Sequence, residues 1–203
     1  MSIHSSMART IDDTKIERIK EATISLVVKN GYGHAAISEI ARTAGVAEGY
    51  LYRHYKSKAE LVEDLLYQNI NLLADNIENQ LETKNSIREI FENITRTLFA
   101  IAEKNPEQIK FIYVLMNDYN FKIQDIQRER IFELCRKVKE RGLVINEMRA
   151  DITEEEIYLI GVSYPIQFIN MRLKNFFNQS QLGEDEIQRV MQICKNTINS
   201  TSL

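Results

Sequence analysis

Residues 42–58 carry side chains of the kinds that contact nucleic acids. This stretch holds four basic residues against a single acid, and tyrosine and histidine lie among them. Cationic side chains neutralise phosphate, whereas tyrosine and histidine can hydrogen-bond to the phosphate backbone or to base edges. The whole chain carries a formal charge of −3. Residues 1–60 carry nine basic and seven acidic side chains and therefore a net charge of +2. The positive charge is thus concentrated in the N-terminal part, where a DNA-binding face needs it.

The hydrophobic pattern of this region predicts two short helices joined by a tight turn. Ile37, Ile40 and Ala41 form one apolar face, Gly45 interrupts it, and a second helix is expected over 47–55. Helix, glycine turn and helix is the sequence form of a helix-turn-helix, whose second helix enters a major groove of DNA. The outer face of that second helix offers the candidate contacts, which are Ala47, Glu48, Tyr50, Arg53 and His54, with Tyr52 either a contact or part of the core.

The remainder of the chain predicts further helices and no strands. Only seven Gly and two Pro interrupt it, and this scarcity favours long helices. Residues 1–11 are expected to form a loose arm, Gly142 to end a helix and Pro165 to kink one. The expected helices cover 12–30, 58–81, 86–103, 106–119, 124–141, 153–178 and 184–199. The predicted fold class is therefore all-α.

Several segments together resemble the tetracycline-repressor (TetR/AcrR) family over residues 15–62. The matching segments are GY at 31–32, ISEIA at 37–41, AGV at 44–46, GYLYRHY at 49–55 and KSKAEL at 56–61. The resemblance implies that Tyr50, Tyr52 and His54 contact DNA backbone and bases, and that Lys58 binds phosphate at a helix N-terminus.

The chain departs from the family pattern in the helix-turn-helix itself. Ala35 and Ala36 stand where a hydroxyl commonly opens the first short helix, which removes about 1 kcal/mol of capping, and Ser38 is a partial substitute. Ala47 replaces a common serine cap. Glu48, often a lysine in the family, opposes phosphate but can accept a hydrogen bond from a cytosine amino group. These changes predict modest affinity that depends mainly on base contacts.

The resemblance also implies a division into two domains. Residues 1–58 would form the three-helix, N-terminal DNA-binding domain, and 59–203 a helical domain that binds an effector and dimerises. An aromatic and methionine cluster could line an apolar effector pocket or be ordinary core: Phe111, Tyr113, Met116, Tyr119, Tyr164, Phe168 and Met171. The last two helices would form a four-helix bundle with their symmetry mates through Ile160, Ile187, Val190, Met191 and Cys194.

The family resemblance and the helical pattern together predict a dimeric, cytoplasmic repressor. It would bind a partly palindromic double-stranded operator and be released by a small, mainly apolar effector. An enzyme is disfavoured because GVSYP at 161–165 lacks the final glycine of a nucleophile elbow and lies within a helix. No cofactor motif is found, and the histidines have no metal-site spacing. No window approaches the ~18 apolar residues of a membrane span, and Cys135 and Cys194 are expected in the core. The remaining alternative is a regulator that acts mainly through a protein partner.

Overall fold

The computed structural model describes residues 3–83 and 86–199, with side chains from residue 13 onward. Every regular element within those ranges is helical, which confirms the all-α fold class. The elements are α1 (Ile3–Asn30), α2 (Ile37–Ala44), α3 (Glu48–His54), α4 (Lys58–Thr83), α5 (Ile87–Lys104), α6 (Pro106–Asn117), α7 (Asp125–Val144), α8 (Glu154–Tyr158), a π-helical turn (Leu159–Ser163), α9 (Tyr164–Leu173) and α10 (Glu184–Ile198).

The first helix is longer than predicted. It begins at Ile3, so the expectation of a loose arm over 1–11 is wrong for residues 3–11, while residues 1 and 2 lie outside the described part. Neither glycine nor proline occurs between Ile3 and Asp12. The absence of hydrophobic periodicity there predicts a loop, but nothing in that segment stops a helix from extending.

Gly142 does not end α7, contrary to the prediction. The helix continues to Val144, and the left-handed residue that follows is Asn146, with φ 57°. Gly142 is buried, and a Cβ atom there would lie 2.8 Å from Met148 Cβ and 3.2 Å from Ile87 Cγ1. Because Met148 and Ile87 pack so closely against this point of α7, position 142 requires a glycine.

The predicted helix over 153–178 is interrupted before its proline and ends earlier, at Leu173. Its start is as expected, because Thr153 and Glu156 form a capping box. A π-helical turn then occupies Leu159–Ser163, and Pro165 follows in the first turn of α9. Because proline donates no backbone N–H, the α-helical bond to the residue four positions earlier cannot form, and a wider turn fits at this point.

The chain divides into two compact units, and each unit is formed by two separate segments of the chain. The first unit contains the chain up to Gln68 together with Lys110–Lys122. The second contains Asn69–Ile109 and the chain from Ile123 onward. The long helix α4 and the shorter α6 thus each contribute residues to both units.

Helix α5 supplies much of the core of the second unit. Its side chains Ile90, Phe91 and Leu98 are almost wholly buried. Both cysteines are also buried in this unit, as predicted, and burial raises the pKa of the Cys135 and Cys194 thiols to about 11. They therefore serve as small apolar side chains.

Substituting Gly161 tests how tightly the π-helical turn packs on α5. A Cβ atom at Gly161 would lie 2.8 Å from Phe91 Cε1, so Gly161→Ala is expected to lower the free energy of unfolding by about 1–3 kcal/mol. Urea unfolding of the purified protein measures this. Gly49→Ala is the control, because a Cβ there meets no atom within 4 Å beyond its chain neighbours and the backbone of its own helix, and alanine favours a helix by ~1 kcal/mol. Equal stability of wild type and Gly161→Ala would contradict the packing argument.

Candidate DNA-binding surface

A small apolar core fixes the two short helices α2 and α3. Ile40 and Ala41 on α2 and Leu51 on α3 are almost wholly buried, as the sequence predicted. Ile37 and Val46, which were expected to join them, are only half-buried. A seven-residue helix such as α3 is not stable by itself in water, so the burial of Leu51 holds α3 in place.

The turn between the two helices depends on Gly45. This residue has φ 65° and ψ 40°, the left-handed conformation that glycine adopts without steric cost. Its N–H donates to the carbonyl oxygens of Ala41 and Arg42, and the N–H of Val46 donates to Ala41 O at 3.0 Å. These bonds end α2 and direct the chain into α3 within three residues.

Neither short helix has a side-chain cap. Ala36 and Ala47 occupy the two N-cap positions with extended backbone, and neither makes a side-chain hydrogen bond to its helix. This agrees with the missing hydroxyls noted in the sequence. The orientation of α2 and α3 therefore rests on core packing and the glycine turn.

Most of the predicted contact residues lie on the exposed side of this motif. The side chain of Tyr52 is 52% exposed, which favours the contact interpretation over the core one. The other exposed members of the predicted set are Ser38, Ala47, Glu48, Arg53 and His54.

Tyr50 is placed differently from the other predicted contacts, because only 8% of its surface is exposed. Lys15 Nζ and the Arg53 guanidinium carbon lie 5.0 Å and 5.1 Å from the centroid of its ring. The His54 ring centroid is 4.8 Å away. Tyr50 thus forms an aromatic platform against which two cationic side chains and a histidine pack.

Lys58, the predicted phosphate ligand, is engaged with the turn between α1 and α2. Its Nζ donates to Tyr32 O at 2.7 Å and to Gly33 O at 3.2 Å, and it lies 4.5 Å from the Tyr32 ring centroid. Burial lowers the pKa of Lys58, and the nearby Asp118 opposes that change. A phosphate would compete with two carbonyl oxygens for this ammonium group.

Asp118 holds the same turn, although the sequence pattern did not identify it as a functional residue. Its Oδ2 accepts the Tyr32 N–H at 3.1 Å, and its Oδ1 accepts from the backbone and side chain of Asn120 at 2.9 and 3.1 Å. Hydrogen bonds from Asn120 N–H, and then from Tyr32 N–H, lower the pKa of Asp118 against the effect of burial. Tyr32 also packs edge-on against Phe121. Asp118, Asn120, Phe121, Tyr32 and Lys58 are called the turn clamp below.

The predicted effector residues are divided between the two units. The four from Phe111 to Tyr119 belong to the first unit and the three from Tyr164 to Met171 to the second. Their exposure varies widely: Phe111 is fully buried, whereas Tyr119 is 100% exposed. In the second unit, Phe168 packs against Phe99 and Tyr164.

The predicted dimer residues are mostly core residues of the single chain. Val190, Met191 and Cys194 are buried within the protomer, and Cys194 Sγ contacts Ile160 O at 3.4 Å. Ile160 and Ile187 are half-buried. Helical periodicity identified the apolar face of α10 but could not show that the same chain already covers it.

Helix α7 and the start of α8 border a cavity of about 550 Å³ in the second unit. Its walls are Ile123, Arg128, Ile131, Phe132, Cys135, Thr153, Glu154, Glu155 and Tyr158. A cavity of about 270 Å³ lies beside Phe91, Met191 and Ile198. None of the seven predicted effector residues lines either cavity.

The described residues contain no group of three or more His, Cys, Asp or Glu side chains that could hold a metal ion. Within the same ranges, no helix has the length and apolar character needed to cross a membrane.

The sequence and the fold both match known regulators. The family model for bacterial regulatory proteins of the tetR family matches residues 19–65. An uncharacterized HTH-type transcriptional regulator of Haemophilus influenzae is 22% identical over 166 residues, which are 78% of this chain and 86% of that protein.

Two solved structures show the same fold over almost the whole chain. A TetR family transcription regulator from Marinobacter aquaeolei has a TM-score of 0.74 and 19% identity, covering 94% of this chain and 98% of that one. The FadR regulator of Bacillus subtilis in complex with stearoyl-CoA has a TM-score of 0.67 and 15% identity, covering 90% and 99%. Residues 19–65 therefore carry a helix-turn-helix sequence of the tetR family of bacterial regulatory proteins, and the chain has the fold of TetR family regulators.

Proposed function

We propose that the protein is a dimeric repressor that binds a partly palindromic operator and is released from it by a small, mainly apolar effector. The observation that carries this proposal is the outer face of α3. Tyr52, Arg53 and His54 are exposed there, while Leu51 and Tyr50 fix the helix from its inner side. A rigid helix with donors on its outer face is suited to reading a major groove.

The exposed residues would divide the tasks of DNA binding. Arg53 can donate to guanine or to phosphate, and its contact with the Tyr50 ring limits its conformations before DNA is bound. Tyr52 and His54 can hydrogen-bond to the phosphate backbone or to bases. Glu48 would favour cytosine and oppose phosphate.

Two copies are needed because a single seven-residue helix contacts only one half-site. Two recognition helices must reach successive major grooves, roughly 34 Å apart. The helices from α8 to α10 would supply the symmetric interface. Because their deepest apolar residues are already covered, the exposed Leu159 and Ile193, with the half-buried Ile160 and Ile187, are the better candidates for the contact.

Effector release is supported by the similar fold of FadR, which was solved with stearoyl-CoA, and by the apolar cavity beside α7. Moving a two-state equilibrium from almost fully bound to almost fully free requires a differential ligand affinity of about 5.5 kcal/mol. The turn clamp offers a route for this coupling, because Asp118 directly follows α6 and holds the turn that precedes α2. A displacement of α6 would therefore act on the helix-turn-helix.

The decisive experiment selects binding sites for the purified protein from a random duplex library. A consensus with two related half-sites, occupied by two protomers in sedimentation analysis, is the expected result. Transcription from a promoter that overlaps this site should fall when the protein is added. Failure to enrich any duplex would contradict the proposal and favour regulation through a protein partner.

Arg53→Ala is expected to weaken binding to the selected operator by about 1–3 kcal/mol. Stability should change by no more than about 1 kcal/mol, because Arg53 is exposed and loses only its contact with the Tyr50 ring. If Arg53 contacts phosphate, the slope of log affinity against log salt should also fall by about one. Operator titrations at several salt concentrations measure both quantities. Arg136→Ala is the control, since Arg136 is an exposed arginine of α7 paired with Glu133 at 2.7 Å. Equal losses in the two variants would refute a specific role for Arg53.

Ile193→Glu is expected to convert the dimer to a monomer, because an uncompensated charge at a buried interface is costly. Operator affinity should fall by about ten-fold or more through the loss of the linked second half-site. Sedimentation velocity and operator titration measure the two effects. Gln192→Glu, at an exposed neighbour on α10, adds the same charge as a control. A stable Ile193→Glu dimer would place the interface elsewhere.

Asp118→Ala is expected to loosen the turn before α2, because the Tyr32 N–H loses its carboxylate acceptor. The amides of Tyr32 and Gly33 should exchange with solvent faster, and operator affinity should fall by several-fold, about 1 kcal/mol. Hydrogen exchange and operator titration provide the measurements. Asp125→Ala, at an exposed aspartate paired with Arg128, should change neither. Unaltered exchange at Tyr32 in Asp118→Ala would show that the turn is held without the carboxylate.

A further inference from the structure

The cavity of about 550 Å³ in the second unit combines an apolar lining with acidic and aromatic side chains. Its apolar lining comes from Ile123, Ile131 and Cys135. The volume falls within the range of roughly 300–1,000 Å³ that is typical of small-molecule sites. The cavity is therefore large enough for the body of a ligand with several rings or branched hydrocarbon groups.

Two aromatic side chains, Phe132 and Tyr158, also line this cavity. Phe132 is 54% exposed, so its ring is open to a ligand. Elsewhere in the molecule, the rings of Tyr32, Tyr50 and Phe168 each have a lysine or arginine of the same chain between 4.5 and 5.1 Å from their centroids. Within the described ranges, no cation of the chain occupies the corresponding place over Phe132 or Tyr158. A cation from outside the chain can therefore use these rings.

Three charged side chains line the cavity as well, and two of them are paired within the chain. Arg128 lies 3.0 Å from Asp125, and Lys139 lies 3.3 Å from Glu154. Glu155 is exposed, and among the residues that the structure describes its carboxylate has neither an ion-pair partner nor a hydrogen-bond donor. One negative charge at the cavity is thus left uncompensated.

The first turn of α8 does not make the cavity suitable for an anion. The Thr153 N–H donates to Glu156 Oε2 at 2.8 Å, and the Glu156 N–H donates to Thr153 Oγ1 at 3.1 Å. A hydrogen bond from its own backbone N–H lowers the pKa of Glu154, so this carboxylate is ionised at neutral pH. An anionic ligand would therefore meet backbone donors that are already engaged, together with the carboxylates of Glu154 and Glu155.

Neither the carboxylate nor the aromatic ring would define a site alone. An exposed glutamate is ordinarily a solvated side chain, and an exposed ion pair or a cation–aromatic contact strengthens binding by only a few-fold. Burial of apolar surface supplies most of the affinity for a small molecule. A ligand that fits this cavity must therefore carry positive charge on a largely apolar body.

We propose that the cavity binds a lipophilic organic cation, such as a quaternary ammonium or phosphonium ion with aryl or branched alkyl groups. Its apolar groups would pack against Ile123, Ile131 and Cys135, and its charge would lie near the Glu155 carboxylate and the Phe132 ring. The role of this cation as the effector rests on the function proposed above, whereas its binding to the cavity does not.

Tetraphenylphosphonium and tetraphenylborate are a matched pair of probes, because they have nearly the same size and shape but opposite charge. Calorimetric titration of the full-length protein in sodium buffer should show the phosphonium binding about ten-fold more tightly, the combined effect of one ion pair and one cation–aromatic contact. The protein as a whole carries a formal charge of −3. The local effect of Glu155 must therefore be separated from a general attraction of cations.

Glu155→Gln removes the carboxylate at almost constant size and should reduce the preference for the phosphonium to about two-fold or less. Glu103→Gln is the matched control, because Glu103 is an exposed glutamate of α5 that does not line the cavity, and its loss changes the net charge equally. This control should keep the wild-type preference. Thermal unfolding should give the same transition temperature for both variants, since both side chains are exposed.

Phe132→Leu is a second, independent variant that keeps an apolar side chain and removes the aromatic ring. It should reduce the ratio of phosphonium to borate affinity about three-fold, the effect of one cation–aromatic contact. Because Phe132 is largely exposed, the variant should remain folded. An unchanged ratio would contradict the position proposed for the charge.

The proposal is overturned if tetraphenylphosphonium binds with a Kd weaker than about 1 mM, or if tetraphenylborate binds as tightly as the phosphonium. It is also overturned if the preference survives Glu155→Gln, or if Glu103→Gln reduces it equally. Operator titration with tetraphenylphosphonium tests the effector role separately. Glu155-dependent binding that leaves operator affinity unchanged would support the cation site and contradict its assignment as the effector site.

Discussion

The burial of Leu51 is the constraint on which the DNA-binding surface depends. Helix α3 has seven residues and no side-chain cap, so it cannot persist without tertiary contacts. Leu51 is 0% exposed, and it packs in a unit where Ile40 and Ala41 are also buried. Fixing one face of such a short helix determines the direction of every side chain on the other face, because the helical period leaves no freedom. The positions of Tyr52, Arg53 and His54 therefore follow from apolar packing.

Tyr50 links that core to the exposed face. Its ring is largely covered, and the cationic groups of Lys15 and Arg53 lie about equally far from its centroid. A guanidinium held against an aromatic ring would lose less conformational entropy in the proposed contact with DNA. The family resemblance implied a direct contact for Tyr50, and the structure gives it a positioning geometry. An aromatic ring can fill both roles when its hydroxyl end is polar and its face is packed.

The sequence predicted the features that depend on local pattern. Helical periodicity located most helices to within a few residues, and Gly45 and the Thr153 capping box behaved as their residue types require. Prediction from local pattern failed where contacts between distant parts of the chain determine the structure. Gly142 predicts a helix end because glycine often ends helices, but here it gives room to Met148 and Ile87. The bond from Asp118 to Tyr32 joins residues 86 positions apart, and no local signal specifies such a pairing. Periodicity also marks a buried face without revealing whether the same chain or a second copy buries it.

Charge distribution determines how this surface can combine affinity with selectivity. Glu48 begins α3 beside the uncapped Ala47, and Lys58 is engaged with the carbonyl oxygens of Tyr32 and Gly33. Under the proposed function, two positions that could have strengthened phosphate binding would therefore contribute little to it, and non-specific affinity depends mainly on such contacts. In the proposed dimeric complex, base contacts and the linkage of two half-sites would be less affected by this loss, so their share of the total binding energy would rise. Under the proposed function, a weakly basic recognition surface of this kind would lower overall affinity and enlarge the difference in affinity between operator and random DNA.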